Sequence, residues 1–172
     1  MEEPLVNRVQ ESGLIQLDLG SLLSPEPTSE VDLAQWLAEG GILREKPFRE
    51  GVTAWDASSL HGHVVALTCT LEAILPDWAW MLVTAKLSTA GATVVAGKHS
   101  EAQSLAWKRA VEALDVEAYR DERVIVKGCG HGGGPGALMA FVARAQPVVK
   151  SLMFGEACSA VPIFKAPLDP KP

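Results

Sequence analysis

Apolar positions in this chain fall into two kinds of stretch. Short unbroken runs bounded by glycine, proline or polar residues alternate with longer stretches in which apolar residues recur every three or four positions. Leu5 to Glu11 carries Leu5, Val6 and Val9 on one side, with Gly13 placed to end it, which predicts a short amphipathic helix. Leu14-Ile15-Gln16-Leu17-Asp18-Leu19 reads as a short strand, and the prolines of Ser24-Pro25-Glu26-Pro27-Thr28 as a loop. Asp32 opens a stretch with Leu33, Trp36 and Leu37 at helical spacing, which Gly40-Gly41 stops before the run Ile42-Leu43. Phe48 to Asp56 is helical. Val64 to Leu67 predicts a strand, Asp77 to Leu87 a helix, and Thr93-Val94-Val95-Ala96-Gly97 a strand ending in glycine. Ser100 is placed to cap a helix from Glu101 to Leu114, with Leu105, Ala106, Ala110, Val111 and Leu114 on one face. Val124 to Lys127 is a strand; Pro135 introduces a helix from Gly136 to Ala145 that Pro147 breaks; Ser151-Leu152-Met153-Phe154 is a further strand.

Strands alternating with helices at this spacing predict an α/β protein. The expected architecture is a single domain over residues 1–165, with a loose C-terminal tail over 166–172. Its sheet is expected to be twisted and largely parallel or mixed, of four to six strands, with helices on both faces and the N-terminal strand at an edge.

Two of the strands end alike. Trp55-Asp56, Val64-Val65-Ala66-Leu67-Thr68-Cys69 and Pro76 return as Leu114-Asp115, Val124-Ile125-Val126-Lys127-Gly128-Cys129 and Pro135, an offset of about sixty residues. Each copy reads strand, cysteine, loop, helix. Each cysteine is thereby placed at the carboxyl end of a strand, the edge at which α/β proteins hold their ligands.

Composition changes the picture in one respect. A net charge of −6, with no Lys/Arg stripe along the sequence, argues against a nucleic acid or an anionic membrane as partner. The start Met1-Glu2-Glu3-Pro4 has no signal-peptide pattern and no apolar run is long enough to span a bilayer, so the expected location is the cytoplasm. The three cysteines, Cys69, Cys129 and Cys158, should be reduced there.

A thiol between a strand end and a helix N-terminus feels a dipole that favours thiolate. If Cys158, in Phe154-Gly155-Glu156-Ala157-Cys158-Ser159, lies at the same edge, three soft ligands converge. They would suit zinc, with His131 or water as fourth ligand, or one iron–sulfur cluster. Three unrelated core thiols are the plain alternative, since the spacing is no known metal signature and cysteine is commonly buried. A thiol enzyme is another, with Cys129 as nucleophile and Lys127, Arg44 or His131 lowering its pKa. Gly128, Gly130 and Gly133 also spell G-x-G-x-x-G between a strand and a helix, with Glu156 about twenty residues on, the context of a dinucleotide-binding loop. A loop without ligand is its alternative. His61 and His63 are expected to be solvated turn residues. Arg44 and Arg49 beside Phe48 suggest a small anion pocket or partner face, with an exposed helix entry as the alternative. Trp78 and Trp80, about 200° apart on one helix, cannot both point inward, which suggests a groove or a homodimer interface. A non-catalytic, homo-oligomeric interaction protein is therefore a third reading.

Trp36-Leu37-Ala38-Glu39-Gly40, Ile42-Leu43-Arg44-Glu45-Lys46, Phe48-Arg49-Glu50, Ala66-Leu67-Thr68-Cys69, Lys127-Gly128-Cys129 and Ser151 to Pro162 together resemble the uncharacterised bacterial domain of unknown function 2480 family, across nearly the whole chain. The resemblance brings no established activity. It implies an accessory role beside iron–sulfur cluster assembly proteins, which fits cysteines in three of those motifs. The loop Gly130 to Gly134 departs from the family pattern.

Overall fold

A computed structural model describes residues 13–128, 133–156 and 158–167. The expected helix at Leu5 to Glu11 lies outside these residues, as do Cys129, Gly130 and His131. The chain is α/β, and its strands form two sheets in two compact units. One unit comprises residues 1–24 and 107–172, here the outer unit; the other comprises residues 25–106, here the inner unit. The chain thus makes one strand of the outer unit, builds the whole inner unit, and returns.

The inner unit contains β2 (Thr28–Asp32), α2 (Glu45–Ala54), β3 (Val64–Thr68), α3 (Asp77–Thr89), β4 (Thr93–Ala96) and the first half of α4 (His99–Ala113). Its strands are all parallel, in the order β2-β3-β4. Val64, Val65, Ala66 and Leu67 are all buried, as an unbroken apolar run in a central parallel strand should be. Alternation along β3 sends Val65 and Leu67 to one face, with Phe48 and Val52 of α2 and Ala79, Val83 and Leu87 of α3. Val64 and Ala66 go to the other, with Ala102 and Ala106 of α4. Helices cover both faces, as expected.

The outer unit contains β1 (Leu14–Leu17), the single-turn helix α1 (Leu19–Leu22), the second half of α4, β5 (Arg123–Val126), α5 (Gly134–Ala145), β6 (Ser151–Phe154) and β7 (Val161–Lys165). The strand order is β1-β5-β6-β7, so β1 takes the expected edge. β1, β5 and β6 are parallel, and β7 closes the other edge antiparallel to β6. Val124, Val126 and Leu152 meet Ala137, Phe141 and Ala145 of α5 in its core.

Several local expectations changed. The sequence pattern predicts a strand neither at β2, whose first residue Thr28 ends the expected loop, nor at β7, because both are edge strands with few buried residues and β7 contains Pro162, which only an edge tolerates. The segment after Asp32 is a short 3₁₀ turn, Leu33–Trp36. Ser100 does not precede α4 but lies in its first turn, donating to Glu101 at 2.7 Å. The carboxylate of Glu30, from β2, accepts from the His99 N–H at 2.8 Å, so the helix start is capped by a side chain distant in sequence. The tail is held at its start, where the Ala166 N–H donates to the Lys150 carbonyl at 2.9 Å. Among the described residues no helix is long and apolar enough to cross a membrane.

Candidate functional site

Parallel strands end together, so each sheet has a carboxyl edge at which side chains from loops collect. At the inner edge Cys69 follows β3 directly, as the sequence pattern requires; it is half-buried and its thiol points at the Leu71 carbonyl, 3.5 Å away. Beside it Asp32, the last residue of β2, accepts from the N–H groups of Ala34 and Thr70 at 2.9 and 3.1 Å and from the Thr70 hydroxyl. Partial burial pushes the Asp32 carboxyl up, but these three hydrogen bonds outweigh it and hold the pKa below the ordinary 3.8. The sequence pattern makes Asp32 the start of an element, but no local pattern announces its bond to Thr70.

At the outer edge β5 and β6 are parallel neighbours, with Val126 level with Phe154. Cys129 is the third residue after Val126 and Cys158 the fourth after Phe154, so both cysteines follow adjacent strand ends. Cys158 is exposed in the turn before β7. The Gly155 N–H donates to the Val126 carbonyl at 2.9 Å, and a Cβ on Gly128 would lie 3.5 Å from Gly155 Cα, so the two exit loops begin in contact. Lys127, half-buried, continues the β1 ladder through its N–H to the Leu17 carbonyl at 2.8 Å. Among the described residues no group of three His, Cys, Asp or Glu side chains is placed to hold a metal.

The glycine loop has the expected context, since β5 precedes it and α5 follows it. One of its three fingerprint glycines, Gly133, also has a packing reason, whereas a Cβ on Gly128 would meet its neighbours at ordinary contact distance. Gly128 faces the backbone of Gly155 and the ring of Phe154; Gly133, with φ +85° at the N-cap of α5, lies against the side chains of Trp107 and Ala137, where a Cβ has no room. Glu156 is exposed just beyond β6.

A family model described as protein of unknown function (DUF2480) matches residues 3–166. The chain belongs to that family. No curated protein and no solved structure matches it. Membership carries no activity, so the remaining sequence-read residues are placed by geometry alone.

His61 is exposed in its turn, as expected, and His63 is half-buried. His63 shares a hydrogen bond with Ser29 at 2.8 Å and His61 one with the Ala90 carbonyl at 3.1 Å, tying the entry of β3 to β2 and to the end of α3. Arg49 and Phe48 form no anion pocket together: Phe48 is fully buried, while Arg49 pairs with Glu45 at 2.9 Å and lies 4.7 Å over the ring of Trp78. Trp78 and Trp80 are both half-buried against the inner core. The buried residues of α3 are Ala79, Val83 and Leu87, so Trp80 lies about 60° and Trp78 about 140° from the middle of that face.

Proposed function

We propose that the outer sheet's carboxyl edge is a thiol site for a metal ion, zinc or the iron of an iron–sulfur cluster, held by Cys129 and Cys158 with His131. The observation that supports it is the parallel pairing of β5 and β6, each followed within four residues by a cysteine. Cys158 is exposed, so its thiol is accessible to an incoming metal. Two thiolates and an imidazole form a soft donor set that suits tetrahedral zinc with one position left open. An open position at an exposed edge would allow a metal or cluster to be passed on, which agrees with an accessory role in cluster assembly. The purified protein, prepared without oxygen, should carry about one equivalent of zinc per chain, or the several irons of one cluster, read by elemental analysis and absorption. Cys129→Ser and Cys158→Ser should each lose it, and Cys69→Ser should keep it. Iron and zinc both far below one equivalent in the wild-type chain would overturn the proposal.

A further inference from the structure

The opposite, amino-terminal end of the outer sheet holds a cavity of about 1020 Å³. It is lined by Arg120, Arg123, Lys150 and Lys165 against a single carboxylate, Asp121, in a chain whose acidic residues outnumber its basic ones by 21 to 15. Two of these positions are set by strand register. Arg123 of β5 is level with Ser151 of β6, which is level with Lys165 of β7. Residues level across a sheet present their side chains on one face, so Arg123 and Lys165 stand about 10 Å apart over Ser151. Met153 and its partner Pro162 lie next along the same face and give the cationic row an apolar neighbour.

The rim is pre-formed. The Asp121 N–H donates to the Val148 carbonyl at 3.0 Å, and the Lys150 N–H donates to the Glu122 carbonyl at 2.8 Å. Asp121 itself has φ +61°, a left-handed conformation rare outside glycine that the surrounding bonds must hold. Arg120 is partly neutralised by Glu117, three residues before it. Lys150 and Lys165 form no ion pair among the described residues. Gathering like charges around a concave, partly apolar space costs stability through repulsion, and an anion relieves that cost.

We propose that this cavity binds a phosphorylated small molecule of nucleotide size, its phosphates held by Lys150, Lys165 and Arg123 and its apolar portion lying on Met153 and Pro162. The test is calorimetric titration of the full-length protein at low salt with ADP, pyrophosphate and adenosine as separate probes. ADP should bind at one site with a dissociation constant below about 1 mM, at the weak end of specific small-molecule affinities, and pyrophosphate and adenosine should each bind more weakly. The double variant Lys150→Gln/Lys165→Gln should weaken ADP about tenfold, roughly what two exposed charge pairs contribute together, with an unfolding midpoint no lower than that of the wild type. The remote variant Lys46→Gln should leave the affinity as it was. Absence of ADP binding at 1 mM, an unchanged affinity in the double variant, or adenosine binding as tightly as ADP would each overturn the proposal. Pyrophosphate binding as tightly as ADP would overturn the role given to Met153 and Pro162.

Discussion

Asp32 does two things at once. Its carboxylate caps the turn Leu33–Trp36 through the Ala34 N–H, and it fastens the loop after Cys69 through Thr70. Asp32→Ala should therefore cost about 1 kcal/mol at pH 7, the usual worth of such a cap. The pH dependence follows from the direction of the shift. A carboxyl whose folded pKa lies below its ordinary 3.8 contributes stability that is present above that value and lost as pH falls through the folded value. The gap in urea midpoint between wild type and Asp32→Ala should accordingly narrow below about pH 4; a gap that stays constant down to pH 2 would refute the assignment. That Asp32 opens an element was legible in the sequence, because a turn start is a local feature. The bond to Thr70 was not, because it spans 38.

At the scale of elements, α2 shows local propensity and packing in conflict. Gly51 lies inside this helix, where glycine costs up to about 1 kcal/mol relative to alanine, so propensity alone predicts that Gly51→Ala stabilises. A Cβ there would come within 2.8 Å of Trp36 Cδ1. That indole cannot move aside freely, since its ring meets Phe48 and Trp55 edge-on at centroid distances of 5.9 and 5.2 Å. Gly51→Ala should lower stability, by about 1 to 3 kcal/mol as overpacked sites do, and a raised thermal midpoint would show that Trp36 yields. Helices and central strands were legible for the complementary reason: Val64 to Leu67 and Asp77 to Leu87 have patterns that agree with their burial. β2 and β7 were not, since an edge strand buries one face at most and needs little apolar sequence.

The molecule as a whole is organised by one long-range pairing. β1 meets β5, with Ile15 level with Val124 and the inner unit lying between them in the chain. Closing a loop of about a hundred residues carries an entropy cost that the nearer pairings of β2, β3 and β4 avoid. In a refolding experiment with pulsed hydrogen exchange, the amides of Val65 and Leu67 should gain protection before those of Ile15 and Leu17. Simultaneous protection of all four would contradict this order.

The sequence by itself determined the α/β class, the order of most strands and helices, and the position of Cys69 at a strand end. These are consequences of periodicity and of short-range turn chemistry, which the chain carries locally. Tertiary structure alone decided that the strands divide between two sheets, that Glu30 caps α4, and that Arg120, Arg123, Lys150 and Lys165 gather around one cavity in an acidic protein. Strand register and the meeting of charges from separate segments depend on which distant surfaces bury one another, and that leaves no repeating mark along the chain.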